Sequence, residues 1–255
     1  MKLGLKGKKV VITGGSRGIG LAIAESFLAE GALVTLLARD TGHLDQARET
    51  LTKEFGVGSV NTIACDCSLQ KDLASAAQSI QVSWITFDIL VLNVGNGVSS
   101  AAAVPVKADW DQTWVQNFES ARASCEALLP LLQGDDPNIL FISSIAGLEA
   151  IGAPSAYSTA KAAVNAFAKN MSRKLAPDTR VNVVAPGNVF FEGGRWEELQ
   201  DAAPEKVAGM LENNVPMKRF GTPQEIADVV VFVCSARAAF VTGATIVVDG
   251  GQTTS

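Results

Sequence analysis

Val10-Val11-Ile12-Thr13-Gly14-Gly15-Ser16-Arg17-Gly18-Ile19-Gly20 is the stretch from which the fold can be read. Val10–Thr13 is short and apolar throughout, which predicts a strand buried on both faces, and Ile19 to Ala29 carries the pattern of a helix. The turn between them has the spacing Gly-x-x-x-Gly-x-Gly, distinct from the commoner Gly-x-Gly-x-x-Gly. Glycines there let the backbone bend tightly and come close to a diphosphate, while the helix N-terminus offers unpaired N–H groups to the anion. A glycine-rich turn alone is a weak signal. Its place after the first strand makes Gly14, Ser16, Arg17, Gly18, Ile19 and Gly20 candidates for holding phosphate.

The same alternation runs outward from this unit. Strands are expected at Leu33–Ala38, Val60–Cys65, Ile89–Asn93, Ile139–Ile142, Val181–Ala185 and Thr245–Val248. Helices are expected at Leu44–Phe55, Leu69–Val82, Trp110–Leu132, Ser155–Leu175 and Pro223–Ser235. Apolar strands alternating with helices predict an α/β protein, a doubly wound parallel sheet of Rossmann type covered on both faces. No composition shift, repeat or low-complexity tract interrupts the chain, so residues 1–255 are expected to form one domain.

Composition narrows the function. The chain has 255 residues, 47% hydrophobic and 18% charged, with net charge -5 and pI near 5.0. An acidic chain without interleaved arginines and aromatics argues against a nucleic-acid partner. No stretch approaches the ~20 apolar residues of a membrane span, and Val10-Val11-Ile12 is too short for a signal peptide, so a cytoplasmic protein without a membrane partner is expected. Cys65, Cys67, Cys125 and Cys234 lack the spacing of a disulfide framework and read as buried thiols. With His43 the single histidine, in the turn-prone Asp40-Thr41-Gly42-His43, neither a zinc set nor a Ser-His-Asp triad is expected.

Two further sites carry chemistry. The second strand ends Leu37-Ala38-Arg39, so no acid stands where one would bond the adenosine ribose of NAD. Arg39 and Arg17 could instead clamp the 2′-phosphate of NADP; the other reading is two solvated arginines beside Asp40. Downstream, Ser155-Ala156-Tyr157-Ser158-Thr159-Ala160-Lys161 opens an alanine-rich helix that brings Tyr157 and Lys161 onto one face. A phenol titrates near ~10, and a neighbouring ammonium lowers that value toward useful acid-base chemistry.

Together these motifs resemble the short-chain dehydrogenase/reductase family in its compact form, over nearly the whole chain. The likeness rests on Thr13–Gly20, Asp66, Asn93-Val94-Gly95, Asn117, Ser144, Tyr157 with Lys161, Pro186-Gly187 and Val248-Asp249-Gly250-Gly251. Ser144 precedes Tyr157 by thirteen residues, the family's interval. The resemblance implies that Tyr157 is the general acid/base and that Ser144 holds the substrate oxygen. It implies that Lys161 binds the nicotinamide ribose and lowers the Tyr157 pKa, and that Asn117 anchors a water. It further implies that Asp66, with the Cys67 backbone, meets the adenine. Asn93 and Gly95 would support the cofactor loop, and Val189, following Pro186 and Gly187, would bond the carboxamide through its backbone. Read alone, Ser144 could be a cap, Asn117 an exposed helix residue and Asp66 a turn residue.

Two departures stand out. Leu92-Asn93-Val94-Gly95 replaces the usual Asn-Asn-Ala-Gly, removing one polar partner and adding bulk. Phe191 occupies the position of a threonine that reaches the nicotinamide amide or diphosphate, which predicts altered cofactor affinity more than lost activity. Residues 188–215 lose periodicity and read as a substrate loop, with Phe190, Phe191 and Trp196 as pocket walls and Arg195 for an anionic group, or as a packed surface flap. Glu149 and Ile151 are candidates for the opposite wall.

The expected activity is NADP-dependent interconversion of a ketone and a secondary alcohol, with NAD the lesser cofactor. Met217–Glu225 is similar to 3-oxoacyl thioester reductases; a sugar or polyol dehydrogenase and a tailoring ketoreductase are the alternatives. A non-catalytic dinucleotide sensor would have no need of Tyr157. Alanine-rich helix faces and the resemblance predict a homo-oligomer, a homotetramer with a dimer as the alternative.

Overall fold

Seven strands align in parallel because the central ones are apolar on both faces and the segment joining each strand to the next returns along the sheet. They are β1 (Lys9–Thr13), β2 (Leu33–Ala38), β3 (Val60–Ala64), β4 (Ile89–Leu92), β5 (Asn138–Ile142), β6 (Arg180–Pro186) and β7 (Thr245–Val248). The computed structural model describes residues 2–254 and orders them β3-β2-β1-β4-β5-β6-β7. Every pairing is parallel, with Thr13 beside Leu37 on one side and Leu92 on the other.

Helices α1 (Gly18–Ala29), α2 (Thr41–Phe55), α3 (Gln70–Trp84), α4 (Lys107–Trp114), α5 (Ser120–Leu128), α6 (Ser155–Leu175), α7 (Arg195–Ala202), α8 (Pro204–Asn214) and α9 (Pro223–Cys234) complete the chain. Successive strand residues point to opposite faces, so two cores form. Val10, Ile12, Leu36, Ile89 and Val91 pack with Phe27 of α1 and Val230 of α9 on one face. Val11, Leu37, Leu90, Leu92 and Phe141 pack with Leu73 of α3, Leu128 of α5 and Val164 of α6 on the other. Phe27, Phe87 and Phe141 are fully buried, each worth about 1.5–3 kcal/mol of hydrophobic stabilisation.

Two local features differ from the sequence expectation. α2 begins at Thr41 because the Asp40 side chain accepts from the His43 N–H at 2.8 Å, so the turn-prone stretch is a capped first turn. The expected helix Trp110–Leu132 is α4 and α5 joined by a π turn, Val115–Glu119, and closed by a 3₁₀ turn at Leu129–Leu131. Residues 188–215 hold the two short helices α7 and α8.

Arg180 anchors the far edge of the sheet. It is 6% exposed and donates to the carbonyls of Val233 and Ala238 at 2.9 and 3.0 Å, while pairing with Asp136 at 3.3 Å. One guanidinium thus serves a carbonyl near the end of α9 and another in the turn before β7. Among the described residues, no helix is long and apolar enough to cross a membrane, and no His/Cys/Asp/Glu group could hold a metal ion.

Candidate active site

The strand order reverses between β1 and β4, and the loops leaving their C-terminal ends part to form a crevice. Gly14 and Gly18 take φ of 65° and 55°, a region that disfavours any side chain. A Cβ on Gly20 would fall on the Gly14 carbonyl oxygen, so the turn closes only with glycine there. Asn93 ties this turn to β4: its Nδ2 donates to Gly14 O at 2.9 Å and its N–H to Thr13 Oγ1 at 3.0 Å. The N-cap of α1, Arg17, makes no side-chain cap and the first turn carries no acid. Uncapped N–H groups, a positive helix end and a glycine-walled floor fit the diphosphate of a dinucleotide.

Arg39 leaves β2 exposed and lies 3.9 Å from Asp66 Oδ2. Burial pushes the Asp66 carboxyl up, but hydrogen bonds from Ser68 and the Arg39 charge outweigh it and hold the group below its usual value. Arg17 is engaged elsewhere: its Nη1 donates to Gly193 O at 2.9 Å. In this structure the Arg17 guanidinium is thus held by the 188–215 segment. All four cysteines are free and buried, Cys65 and Cys67 flanking Asp66.

Asn117, Ser144, Tyr157 and Lys161 come together beyond the ends of β4 and β5. Asn117 stands on the π turn at 1% exposure, not on an exposed face; its Nδ2 donates to Thr113 O and its Oδ1 accepts from Asn96 N–H, both at 3.0 Å. A Cβ on Gly95 would lie 2.9 Å from Asn117 Oδ1 and 3.0 Å from Lys161 Nζ, so the missing side chain is what lets those two groups approach. Lys161 is 4% exposed, donates to Ile142 O at 3.1 Å, and sits 5.9 Å from the centre of the Tyr157 ring.

Burial pushes the Lys161 ammonium down to about 8. Burial likewise raises the Tyr157 phenol, against the opposing pull of the neighbouring Ser144 hydroxyl. The expectation that Lys161 lowers the Tyr157 pKa is thus not met in this state. Lys161 Nζ is turned to the Ile142 carbonyl, and burial decides the direction of the Tyr157 shift.

Ser144 is held by its neighbours in the 143–147 loop and by α6. Its Oγ accepts from Ala146 N–H at 3.2 Å, so the capping role and proximity to Tyr157 coexist. Ser143 Oγ donates to Lys161 O at 3.1 Å, and Asn165 Nδ2 donates to Gly147 O at 3.2 Å, fastening the 143–147 loop to α6. A Cβ on Gly147 would stand 2.6 Å from the Lys161 carbonyl carbon. No sequence motif marks Gly147 or Asn165; their contact with α6 is visible only in three dimensions.

On the opposite side, Pro186-Gly187 ends β6, and Gly187 lets the chain pass Asp249, to which a Cβ would come within 2.7 Å. Asn188 O and Phe190 N–H pair with Gly221, which turns the amide and carbonyl of Val189 the other way. Phe190 and Trp196 pack on Phe220 with ring centres 5.6 and 5.3 Å apart, so they build an aromatic knot as well as bordering the cleft. Phe191 lies on Gly18, and Arg195 pairs with Glu198 at 2.7 Å. Glu149 Oε1 accepts from Thr254 N–H at 2.9 Å, bringing the C-terminal tail to the wall expected at Glu149 and Ile151. Leu92 is buried in the core in place of a polar residue.

A glycine turn and a Tyr-Lys helix facing one crevice of a doubly wound sheet define the class of nucleotide-dependent oxidoreductases. The family described as enoyl-(acyl carrier protein) reductase matches residues 14–253. The 2-(S)-hydroxypropyl-CoM dehydrogenase 3 of Xanthobacter autotrophicus is 36% identical, over 98% of each chain. The rhamnolipids biosynthesis 3-oxoacyl-[acyl-carrier-protein] reductase of Pseudomonas aeruginosa is 31% identical over 97% of this chain and 96% of its own. The crystal structure of L-sorbose reductase from Gluconobacter frateurii, complexed with NADPH and L-sorbose, superposes with a TM-score of 0.91 at 32% identity, covering 100% of both chains. The chain belongs to the short-chain dehydrogenase/reductase family.

Proposed function

We propose that the protein is an NADP-dependent oxidoreductase interconverting a ketone and a secondary alcohol, with a 3-oxoacyl thioester as the leading substrate class. The observation that carries this reading is the convergence of the Ser144 hydroxyl and the Tyr157 phenol beside a buried Lys161, with Asn117 Oδ1 and Lys161 Nζ both against Gly95. NADPH, when bound, supplies the hydride. Gly14, Ser16, Gly18, Ile19 and Gly20 would hold its diphosphate, Arg39 its 2′-phosphate and Asp66 its adenine. Gly187 and Val189 would border the nicotinamide.

Charge builds on a carbonyl oxygen as its carbon is reduced, and a hydroxyl donor with an adjacent phenol stabilises and then protonates it. Ser144 supplies the first and Tyr157 Oη the second. Burial favours the protonated phenol, the form a reduction consumes. Below about pH 8 Lys161 is an ammonium, positioned to bind the nicotinamide ribose and to return a proton toward Tyr157. Asn117, buried beside it, would anchor the water that connects Lys161 to solvent. The thioester assignment draws on Met217–Glu225 and on the P. aeruginosa relative, the sugar alternative on the sorbose reductase.

Turnover of 3-oxoacyl thioesters, sugars, polyols and simple ketones with NADPH and NADH tests the reading. Tyr157→Phe should lower kcat about 10²–10⁴-fold, the usual weight of general acid catalysis. Full activity in that variant would remove Tyr157 from the mechanism. NADPH binding with no turnover across the panel would favour a dinucleotide sensor.

A further inference from the structure

The segment between Phe190 and Trp196 crosses the cleft that the glycine turn opens into. Its two ends are fixed, since Phe190 and Trp196 both pack on Phe220. Between them, three contacts reach both banks. Atoms of the Phe191 ring lie 2.7, 2.8 and 2.9 Å from where a Cβ on Gly18 would stand, so the ring rests directly on the first residue of α1. Arg17 Nη1 donates to Gly193 O at 2.9 Å on the same bank. On the other bank the Arg195 side chain lies along Gly97, with Cγ 3.7 Å from a Cβ built there.

From these contacts we infer that Phe191 is a gate on the dinucleotide site: its ring covers the N-terminus of α1 in the resting protein and must lift before a diphosphate can settle. This rests on the dinucleotide reading above. The α1 N-terminus has neither a capping side chain nor an acid in its first turn, and what rests on its first residue is an aromatic ring, not a hydrogen-bonding group. A ring cannot replace an anion as the partner of the helix N–H groups, and the cover is displaceable. Gly193, at φ 71°, and Gly194, buried beneath the ring, give the bridge the backbone freedom to swing between its anchored ends. Arg17 leaves Gly193 in the same movement and becomes available to the incoming phosphates, so release of the strap and capture of the anion are coupled.

Apparent affinity falls by the fraction of molecules that are open, so a gate shut in about nine molecules of ten weakens binding about tenfold. Stopped-flow fluorescence with NADPH reads this directly on the wild type, Phe191→Ala and Phe191→Thr, the threonine being too short to reach across Gly18. The expected result is association about tenfold faster and a Kd about tenfold lower in both variants. Unchanged association with equal or weaker binding in the variants would overturn the gate while leaving the cofactor reading intact, because the ring would then be a wall of the loaded site. Binding by the variants alone would support the gate in its strongest form. Failure of all three proteins to bind NADPH or NADH would overturn the dinucleotide reading and the gate with it.

Discussion

Gly147→Ala perturbs the geometry of Ser144 by pressing on the Lys161 segment of α6, without replacing any side chain assigned to the chemistry. The added methyl would stand 2.6 Å from the Lys161 carbonyl carbon and 2.7 Å from the Ala162 nitrogen, both backbone atoms of α6. Restoring ordinary contact requires the 143–147 loop and α6 to part by about 0.8 Å, an overpacking that costs about 1–3 kcal/mol of stability. Ser143 Oγ to Lys161 O and Asn165 Nδ2 to Gly147 O already span 3.1 and 3.2 Å, so a separation of that size breaks both bonds. Ser144 then retreats from Tyr157, and a displacement near 1 Å at a reacting centre lowers turnover about 10²-fold. The assay is kcat on an established ketone substrate, beside the NADPH Kd and a thermal unfolding curve. The glycine turn lies on another loop, so kcat should fall much further than the Kd rises, any rise in Kd being confined to what Lys161 contributes through the nicotinamide ribose. A Gly147→Ala protein with wild-type kcat and wild-type Tm would refute the claim that this contact sets the position of Ser144.

Other outcomes follow from the same structure. The folded Lys161 pKa, about 8, lies below its ordinary value of 10.5, so the folded state disfavours its charge; stability should be flat below about pH 8 and rise toward pH 10.5 by an amount on the order of 3 kcal/mol, and Lys161→Met should abolish that rise in denaturant titrations. Arg39→Ala should weaken NADPH binding about ten- to a hundredfold, one charge-assisted contact, and leave NADH nearly unchanged by calorimetry; equal losses would remove the 2′-phosphate from Arg39. Phe167, Met171 and Leu175 of α6 line an apolar groove with Cys125 of α5, and Phe240 and Val247 are exposed near the sheet edge. Two such surfaces suit a homotetramer, and a monomer by light scattering would contradict it.

Periodicity was enough for the sheet because every central strand is apolar on both faces, and neither β2 nor β7 shifts by a residue from its expected limits. The failures were local. Asp40 could have been read as a cap from its place before a helical pattern, yet the glycine and histidine behind it suggested a turn. The four catalytic candidates were legible because each carries a distinctive side chain at a recognisable interval. Gly147 and Asn165 were not, since their role is a distance between two backbones that are remote in sequence. The sign of the Tyr157 shift was also hidden. Spacing shows that Lys161 is near, whereas the depth of burial and the direction in which Nζ points decide what nearness does.

The π turn at Val115–Glu119 has a wider implication. A π turn holds one residue more than an α turn, so it behaves as a single-residue insertion absorbed within one loop of helix. Removing one residue there should let α4 and α5 merge into an unbroken α-helix, with Thr113 still turned inward and Leu128 still seated against the sheet. Asn117, which stands on the widened loop, would lose the backbone that presents it beside Lys161. At this point in the chain, then, architecture and the candidate site are separable by one codon: a shortened relative could fold correctly and keep every other motif, yet lack the buried amide beside Lys161.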